Sequence, residues 1–519
     1  MRVLSIKSGQ DGALAGVDAR RGELLFSYEA EKDSLPKNAA ATAETFLEAG
    51  SWFDDLPGIL ALTGHAGTGL DYSPRIGAGY FGIGPGSQVV GRKSFFGRTV
   101  DVYSSTHERA HVWASYALSP LAQGRPCHVL VWDDVLGGFY HVDADLGIRR
   151  LGHVMDAPAH KFAFLHALAD PQAGPRTGRG GDFGRMMAAA AAGDVLARDD
   201  EAEALIDRVL DRPLSAGRLQ KSEFRDSPFH DAGTGARRFQ DLAARFSARL
   251  FSRFLDFASK HLDPGHPLLI AGECGLNCDW NTRWRDCGLF AQVFVPPCAG
   301  DAGCAIGTAV DAMRHVTGRA KLNWTVYAGQ PFHDDAAALP GPPAPELNLG
   351  TVARLLAQGR VIGWARGNCE IGPRALGNRS ILAAPFDPAV RARLNRIKGR
   401  PEDAPVAPAC LAEDAGLHFG AAAESPHMLH VRQVTDSRLR AITHANGSAR
   451  VQTVSRADNP MLHDLLAEFR RISGVGVLCN TSLNFKGAGF INRTSDLDHF
   501  ARQFGLDGFL AGIRYYDLT

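Results

Sequence analysis

The sequence predicts an α/β protein with at least two domains, and three observations lead to this prediction. The chain has 519 residues, which is more than one hydrophobic core usually serves. Short apolar runs of strand length alternate with segments of helical periodicity, as expected where helices cover sheets. A proline-rich, polar break near residues 325–350 divides a long first part from a shorter second part. We therefore predict an N-terminal domain over residues 1–330 and a C-terminal domain over residues 350–519.

The N-terminal part opens with a meander of three predicted strands. Its apolar runs lie at residues 3–6, 12–17 and 23–28. The first turn contains Gln10 and Asp11 between Gly9 and Gly12, and small residues of this kind let a backbone approach a ligand closely. We expect the meander to open a mixed sheet.

Strands and helices then alternate to the end of the chain. The pattern predicts strands at residues 99–103, 127–132, 267–271 and 475–478, and helices at residues 105–119, 238–262 and 304–313. In the second domain, helical periodicity restarts at Val352, and Asp387-Pro388 is typical of a helix start. The predicted linker between the domains contains Pro331, Pro340, Pro342, Pro343 and Pro345.

The charge balance argues against two classes of partner. The chain has 56 basic and 56 acidic residues, so its net charge is zero and attraction of the whole chain to nucleic acid or an anionic membrane is not expected. No apolar run approaches the length of about 18 residues that a transmembrane helix needs, and no signal peptide is visible. These features predict a cytoplasmic protein without a membrane or nucleic-acid partner. The oligomeric state stays open, a homodimer included.

The nine cysteines predict reduced thiols rather than disulfides, because their number is odd and a chain of this size needs no covalent staples. Five of them lie between Cys274 and Cys304, but no C-x-x-C pair occurs among them. A structural zinc site is therefore not expected. We interpret these cysteines as small buried hydrophobic residues.

Two histidines are candidates for a metal site. On the predicted helix, His107 and His111 are four residues apart and lie on one face. Asp133 ends a predicted strand, and Asp301 lies in a loop framed by glycines. Two imidazoles and two carboxylates suit Fe(II), Mn(II) or zinc better than a metal that prefers thiolates. The spacing alone leaves a metal-free pair of partly buried histidines as the alternative.

Two glycine-rich turns are candidates for nucleotide binding. One turn follows a predicted strand and includes Gly272 and Asn277, and the other precedes a predicted helix and includes Gly300 and Gly303. Such turns direct backbone N–H groups and a helix N-terminus toward phosphates. The pattern G-x-x-x-x-G-K-[ST] is absent from the sequence, which excludes a P-loop NTPase.

The strongest local charge lies between Gly359 and Arg400, where nine basic residues face two acidic ones, a local sum of plus seven. Arg374 and Arg379 stand on a Gly-Pro turn, and arginine forks on a fixed turn suit a phosphate or an acyl phosphate. The arginines at 391, 393 and 396 fit a solvated helix face instead. A polar cluster that includes Asn480 and Asn484 follows the last predicted strand and would complete the pocket.

Taken in order, these segments resemble the O-carbamoyltransferases of nodulation-factor and antibiotic biosynthesis, over nearly the whole chain. The motifs that carry the resemblance are His107-x-x-x-His111, Val131–Asp133, Gly184–Ala188, Phe294–Gly303, Gly372–Ser380, Leu394–Lys398, Arg450–Val454 and Asn480–Asn484. The segment Ser27–Asp33 looks most like the antibiotic branch, which includes enzymes that act on hydroxymethyl cephems.

The resemblance implies a fold and a reaction. It implies an N-terminal domain like the actin-like (ASKHA-type) ATPase fold of the tRNA threonylcarbamoyl transferases, followed by a YrdC-like α/β domain. ATP, with Mg, would convert the carbamoyl group of carbamoyl phosphate to carbamoyl adenylate. The N-terminal domain would pass that group to a hydroxyl of a small secondary metabolite.

The resemblance also implies roles for individual residues. Fe(II) or a similar divalent metal would be held at the positions of His107, His111, Asp133 and Asp301. The carbamoyl phosphate pocket would include Arg374, Arg379, Lys398, Arg450 and Asn480, and we assign Arg400 and Asn484 to the same pocket.

Two departures from the family pattern bear on the site. The family usually has a His-Asp pair in the first turn, where this chain has Gln10 and Asp11. Gln10 can only form hydrogen bonds, so the base that takes the acceptor proton would be Asp11 or Asp182. Asp134 stands where glycine usually follows the metal carboxylate, which leaves the choice between Asp133 and Asp134 open.

Two competing functions share parts of this pattern. A tRNA-modifying transferase would share the metal domain, but zero net charge and the lack of a basic tail argue against it. A non-catalytic actin-like nucleotide-binding protein would have no use for the arginine turn. The acceptor alcohol is not specified by the sequence.

Overall fold

Two sheets in the N-terminal part share one strand order. The computed structural model describes residues 1–64, 77–174, 180–336, 344–420 and 424–519. The first sheet has the order β3-β2-β1-β4-β6-β5, and the second has β9-β8-β7-β10-β11. In both, a meander of three antiparallel strands is extended by two parallel strands beside its first strand, and the first sheet has one further strand, β5, antiparallel to β6. The strands are β1 Arg2–Lys7, β2 Ala13–Asp18, β3 Glu23–Glu29, β4 Ile59–Thr63, β5 Gln88–Phe95, β6 Arg98–Ser105, β7 Cys127–Trp132, β8 Gly137–Val142, β9 Ile148–His153, β10 Leu268–Ala271 and β11 Val293–Phe294.

A third, seven-stranded sheet follows in the C-terminal part, with the order β17-β14-β18-β13-β12-β19-β20. Its strands and a separate two-stranded ribbon (β15 and β16) are β12 Ile362–Ala365, β13 Arg379–Ala383, β14 Ala407–Leu411, β15 Arg432–Gln433, β16 Ser448–Ala449, β17 Gln452–Val454, β18 Val477–Ser482, β19 Gly508–Ala511 and β20 Arg514–Asp517. Parallel and antiparallel neighbours are mixed in this sheet. The predicted α/β class is therefore confirmed.

Helices cover the sheets and connect their strands. They are α1 Ala43–Ser51, α2 His107–Leu118, α3 Pro158–Ala169, α4 Gly180–Ala192, α5 Asp200–Leu210, α6 Arg237–His261, α7 Cys278–Asp286, α8 Cys304–Thr317, α9 Leu349–Ala357, α10 Pro388–Ile397, α11 Ala415–Phe419, α12 Pro460–Ser473 and α13 Thr494–Phe504. The predicted helices over 105–119, 238–262 and 304–313 correspond to α2, α6 and α8. Among the described residues, no helix combines the length and apolar character that crossing a membrane requires.

Helices α2 and α8 lie between the first two sheets. One apolar core joins residues of β1, β2, β4 and β7 with both helices. Their backbones approach closely at Gly307, where a Cβ would lie 1.8 Å from the carbonyl oxygen of Ala110. This packing brings the N-terminal end of α2 and the turn before α8 to the carboxyl ends of β1 and β7. Ligands of open α/β sheets bind at such strand ends.

The N- and C-terminal parts meet at buried polar contacts. Lys32 forms an ion pair with Glu29 and donates to the carbonyl of Gly372 at 2.7 Å. Gly372 donates its own N–H to Glu29 at 2.5 Å. A Cβ at Gly372 would lie 2.1 Å from the carbonyl oxygen of Pro297, so only glycine allows this approach. The Gly-Pro turn of the basic segment is thereby fixed against the N-terminal part.

The proline-rich break is described only in part. Pro331 lies in an isolated bridge with Asn368, and Pro345 accepts a hydrogen bond from Tyr515. Pro340, Pro342 and Pro343 lie outside the described residues.

Candidate functional site

The two predicted metal histidines lie together at the start of α2. Thr106 caps the helix by accepting the N–H of Arg109, so the first turn is well formed. Four-residue spacing then places His107 and His111 on the same face, with their Nε2 atoms 3.0 Å apart. Both side chains are 1% exposed.

Asp133 comes to these histidines from the end of β7. Its Oδ2 lies 3.5 Å from Nε2 of His107 and 3.2 Å from Nε2 of His111. Its Oδ1 accepts the N–H groups of Val135 and Leu136, which fixes the orientation of the carboxylate. Asp134 instead forms an ion pair with Arg218. The structure therefore brings Asp133, and not Asp134, to the histidines.

Asp301 completes the set from the turn before α8. Its Oδ1 lies 3.3 Å from Nε2 of His107 and 3.5 Å from Nε2 of His111. Its Oδ2 lies 3.3 Å from the ammonium of Lys7, at the end of β1. We name His107, His111, Asp133 and Asp301 the His/Asp cluster.

The donor atoms of the His/Asp cluster have the spacing of ligands to one divalent metal ion, although the group whose atoms all lie within 4.8 Å of one another contains Cys304 in place of Asp133. Nitrogen and oxygen ligands lie about 2.0–2.2 Å from such an ion, so neighbouring ligands are about 3–3.5 Å apart. The separations of 3.0–3.5 Å between Nε2 and carboxylate atoms match that spacing.

Without a cation, protons hold the His/Asp cluster together. Burial favours neutral imidazoles, but Cys304 and Asp301 raise the pKa of His107 well above its usual value, and Cys304 and Asp133 do so for His111. A bound metal would replace those protons.

Cys304, the first residue of α8, also contacts the His/Asp cluster. One ligand atom each from His107, His111, Asp301 and Cys304 lie within 4.8 Å of one another. Burial raises the pKa of the thiol, but His111 and His107 lower it to about 7. Cys304 is a buried free thiol, as expected, and it also lies among the candidate metal donors. The other cysteines of that run take no part in a metal-binding group among the described residues.

The first turn places Asp11 beside the cluster. Burial and the neighbouring Asp301 raise the pKa of Asp11 to about 6, and Asn38 donates to its carboxylate at 2.6 Å. Gln10 has an exposed side chain, and its carbonyl accepts from Lys7.

Asp182 lies elsewhere, with His166 and Arg185 at 3.6 and 3.5 Å as its ion-pair partners. His166 stands near the end of α3, and α3 begins beside Asp133, where Ala159 donates to the Asp133 carbonyl at 3.1 Å. Seven helical residues from Ala159 to His166 span about 10 Å. The structure therefore brings Asp11, but not Asp182, to the cluster.

The four predicted nucleotide residues have different local roles. Gly272 has a φ of 94°, and a Cβ there would lie 2.5 Å from the Trp132 carbonyl, so glycine is needed by the packing of β10 on β7. A Cβ at Gly303 would likewise lie too close, 2.1 Å from the carbonyl oxygen of Cys298. Asn277 caps α7 by accepting the N–H groups of residues 279 and 280. A Cβ at Gly300 would meet only Leu276, at 4.0 Å, so this position is open to a ligand.

The carboxylate of Glu273 belongs to the glycine-rich turn that begins at Gly272. Desolvation of this half-buried group and the carboxylates of Asp134 and Asp11 raise its pKa to about 8. The glycine turn that begins at Gly272 is thus close to the turn that contains Asp11 and to Asp134, just after the end of β7.

Basic side chains gather where the C-terminal part faces the glycine turns. Burial, Arg450 and Arg400 lower the pKa of Arg374 to about 9. Burial, Arg400 and Lys37 lower the pKa of Lys398 well below its usual value. The buried Nε atoms of Arg374 and Arg450 have no hydrogen-bond partner among the described residues. We name Lys37, Arg374, Lys398, Arg400 and Arg450 the basic cluster, and such crowding of cations is suited to an anionic ligand.

The predicted asparagines border the basic cluster. Asn480 donates to Gln452 at 2.8 Å and to Ala375 at 3.2 Å, and its buried Oδ1 has no partner within the described parts of the chain. Asn484 accepts from Lys398 at 2.6 Å and so positions that ammonium. Both therefore lie where the sequence predicted them, beside Arg374 and Lys398.

Arg379 does not belong to the basic cluster, which corrects its predicted role. Its side chain is 0% exposed. Its guanidinium donates to Asn492 and to backbone carbonyls that include those of Arg366 and Gly367, at 2.6–3.1 Å. The fork is occupied by the protein itself, so Arg379 holds the turn and has no free edge for an acyl phosphate.

Several residues of the site had no signal in the sequence. Lys7 and Lys37 lie far from the basic segment, and Tyr80 stacks on His107 with ring centroids 4.3 Å apart and donates to Asp133 at 3.2 Å. Cys304 lies three residues after Asp301 along the chain, but its spacing from the other cysteines is not typical of a metal site. Only the fold brings these residues to one place.

Comparison with known proteins relates both parts of the chain to one activity. Residues 90–310 match the family model for the carbamoyltransferase N-terminus, and residues 353–516 match that for the carbamoyltransferase C-terminus. The chain is 43% identical to a 3'-hydroxymethylcephem-O-carbamoyltransferase of Streptomyces clavuligerus, with 99% of each chain covered. It is 32% identical to a nodulation protein U of Rhizobium tropici, over 94% of this chain and 92% of that protein.

Solved structures offer weaker likenesses. Component A of the (R)-2-hydroxyglutaryl-CoA dehydratase of Acidaminococcus fermentans aligns with 61% of this chain and 98% of its own, at a TM-score of 0.34 and 12% identity. A likeness of this size does not establish a fold family.

Proposed function

Because the chain belongs to the carbamoyltransferase family, we propose that it is an ATP-dependent O-carbamoyltransferase with an antibiotic-type alcohol as acceptor. Carbamoyl phosphate is the donor, carbamoyl adenylate the intermediate and a hydroxymethyl cephem the acceptor. Two relatives named 3'-hydroxymethylcephem-O-carbamoyltransferase, at 43% and 42% identity over 99% of the chain, support this acceptor.

One observation carries the proposal. The basic cluster and the His/Asp cluster flank the same glycine turn, which begins at Gly272 and bears Leu276, the residue that Arg374 contacts. A donor held by the basic cluster would thus lie next to the nucleotide turn, and the nucleotide turn next to the His/Asp cluster. That order matches activation of the carbamoyl group followed by its transfer.

The first step would take place at the basic cluster. Carbamoyl phosphate, ATP and water give carbamoyl adenylate, phosphate and pyrophosphate. Arg374 and Arg450 would bind the phosphate oxygens through their unpartnered Nε edges. Lys398, held by Asn484, and Arg400 would neutralise the remaining charge. The open backbone at Gly300 leaves room for the nucleotide.

The second step would take place at the His/Asp cluster. The acceptor oxygen forms a bond to the carbamoyl carbon, the bond from that carbon to the adenylate oxygen breaks, and AMP leaves. Asp11, which lies beside Asp301, would accept the proton of the acceptor hydroxyl. Gln10 would only donate or accept hydrogen bonds. Asp182 is less suited to this role, because its partner His166 lies near the far end of α3 from Asp133.

A divalent metal such as Fe(II) would be held by His107, His111, Asp133 and Asp301, with Cys304 as a neighbouring donor. When bound, the metal supplies positive charge against phosphate and carbamoyl oxygens. The hydroxyl of Tyr80 and the N–H of Val135 donate to Asp133 and keep the Asp133 carboxylate directed at the histidines.

We also propose the domain division at residues 1–330 and 350–519. The first two sheets end at Phe294 and the third begins at Ile362, which supports it. The repeated strand order of the first two sheets supports an actin-like N-terminal domain, and the mixed third sheet is assigned to a YrdC-like domain.

The test is mass spectrometry of candidate alcohols incubated with the protein, ATP and carbamoyl phosphate. A hydroxymethyl cephem should become its carbamate only when both ATP and carbamoyl phosphate are present. Asp11→Asn should slow this conversion, while Asp182→Asn serves as the matched control. Modification of tRNA instead of a small alcohol, or no carbamoyl transfer with any acceptor, would contradict the proposal.

A further inference from the structure

A cavity of about 240 Å³ lies beside the loop that follows Asp133, and neither step described above assigns it a ligand. Phe81, Val135, Leu136 and Leu214 supply an apolar wall. Arg150 also lines the cavity, as do His153 and Asp156, which form an ion pair at 3.1 Å. None of its lining residues belongs to the glycine turns or to the basic cluster. The cavity is therefore separate from the sites of the nucleotide and the acyl phosphate.

The apolar wall is connected directly to the His/Asp cluster. Val135 and Leu136 donate their backbone N–H groups to Asp133, so the loop that holds the metal carboxylate is also a wall of the cavity. Phe81 packs edge-on against Tyr80, at 5.0 Å between ring centroids, and Tyr80 stacks on His107. A molecule in the cavity would thus touch residues that directly contact Asp133 and Tyr80.

We propose that this cavity binds the acceptor, with its ring system against Phe81 and Leu214 and a carboxylate on Arg150. The inference rests on the proposed function and names the substrate class more narrowly: a compact, ring-bearing alcohol that carries an anionic group. The cavity is slightly smaller than typical pockets of about 300–1,000 Å³ for drug-sized ligands. It would hold the ring system and leave longer substituents outside.

Arg150 has the geometry to select an anionic acceptor. One of its terminal nitrogens donates to Glu108, and its side chain remains 43% exposed. Glu108 also accepts from the hydroxyl of Tyr140 at 2.6 Å and from the N–H of Gly82 at 2.7 Å, so the protein itself satisfies that buried carboxylate. The guanidinium also lies over the ring of Tyr140, at 5.8 Å from its centroid, and its exposed N–H groups would bind a carboxylate in the cavity.

The experiment measures acceptor binding and donor activation separately on the full chain. Binding of a hydroxymethyl cephem and of its methyl ester is measured by calorimetry, and ATP-dependent pyrophosphate release is measured with carbamoyl phosphate alone. We expect the ester to bind about tenfold to a hundredfold more weakly than the acid, the range of one charge-assisted contact. Arg150→Gln should abolish that preference.

Steric variants test the apolar wall. Phe81 is 44% exposed and Leu214 half-buried, so Phe81→Ala and Leu214→Trp should fold. Each should weaken acceptor binding at least about tenfold and leave pyrophosphate release unchanged. Phe96→Ala, at an 84% exposed phenylalanine outside the cavity, is the matched control and should bind like the wild type.

Two results would overturn the inference. One is wild-type acceptor affinity in both Phe81→Ala and Leu214→Trp, and the other is equal affinity of the wild type for acid and ester. Loss of carbamoyl-phosphate-dependent pyrophosphate release in the wild type would contradict the proposed function instead, so the two failures are distinguishable. If Arg150→Gln does not fold, the affinities of the wild type for the acid and for the ester still test whether the cavity prefers an anionic acceptor.

Discussion

The guanidinium of Arg374 donates a hydrogen bond of 2.9 Å to the backbone carbonyl of Leu276. Arg374 stands on the Gly-Pro turn of the C-terminal part, and Leu276 stands in the glycine turn after β10. The contact uses one nitrogen and leaves the buried Nε without a partner among the described residues. One arginine thus connects the turn assigned to the nucleotide with the cluster assigned to carbamoyl phosphate.

His107→Ala and His111→Ala should each lose the bound metal and abolish carbamoyl transfer while the chain stays folded. Each variant removes one of two imidazoles whose Nε2 atoms are 3.0 Å apart. Elemental analysis of the purified protein checks this, with the exposed His315→Ala as control. Wild-type metal content in both cluster variants would refute the metal site.

Cys304→Ser should keep the metal but change its spectrum. The thiol lies within 4.8 Å of the other donor atoms and is the only sulfur in that group. With Co(II) bound, the wild type should show thiolate-to-metal absorption, and the serine variant should lack it. The buried Cys410→Ser, in the third sheet, is the matched control. Identical spectra for all three proteins would exclude Cys304 as a ligand.

The sequence predicted the α/β class and most strands and helices because their apolar periodicity is strong. The His/Asp cluster was predictable because helical spacing joins His107 to His111 and strand ends carry carboxylates. The choice of Asp133 over Asp134 was not, because it depends on the local turn that directs one carboxylate inward and the other to Arg218. Arg379 was misassigned because sequence shows a charge but not the carbonyls that surround it.

Arg379→Ala should destabilise the chain rather than impair carbamoyl phosphate use selectively. Removing the guanidinium leaves buried carbonyls and the Asn492 amide oxygen without donors, which should cost about 3 kcal/mol or more. Thermal unfolding, compared with Arg374→Ala, checks this. A variant that unfolds like the wild type but no longer uses carbamoyl phosphate would restore Arg379 to the donor pocket.

The buried histidines His128 and His160 should each lower stability as pH drops below about 6.5, the ordinary pKa of histidine. Asp11 and Glu273, whose pKa values are raised, act in the opposite direction. Burial lowers the pKa of His128 and of His160 to about 4, so the unfolded chain binds more protons than the folded chain between these values. Each histidine should reduce the free energy of unfolding by up to about 1.4 kcal/mol per pH unit in that window. Urea unfolding at several pH values measures the slope.

His160→Gln should make that slope shallower, while the exposed His315→Gln should leave it unchanged. A His160→Gln slope equal to that of the wild type would contradict the assignment of His160 as a buried neutral histidine.

The most direct test of the division of labour between the two clusters uses Arg374→Ala with two donors. Loss of a charge-assisted contact to a phosphate costs about 1.5–3 kcal/mol, which is roughly tenfold to a hundredfold in rate or affinity. From carbamoyl phosphate and ATP, the variant should therefore be slowed by that factor. Arg374→Lys should not restore it, because an ammonium lacks the fork. From preformed carbamoyl adenylate, Arg374→Ala should carbamoylate the acceptor at the wild-type rate, whereas His107→Ala should fail with either donor. Equal loss of transfer from both donors in Arg374→Ala would contradict separate activation and transfer sites.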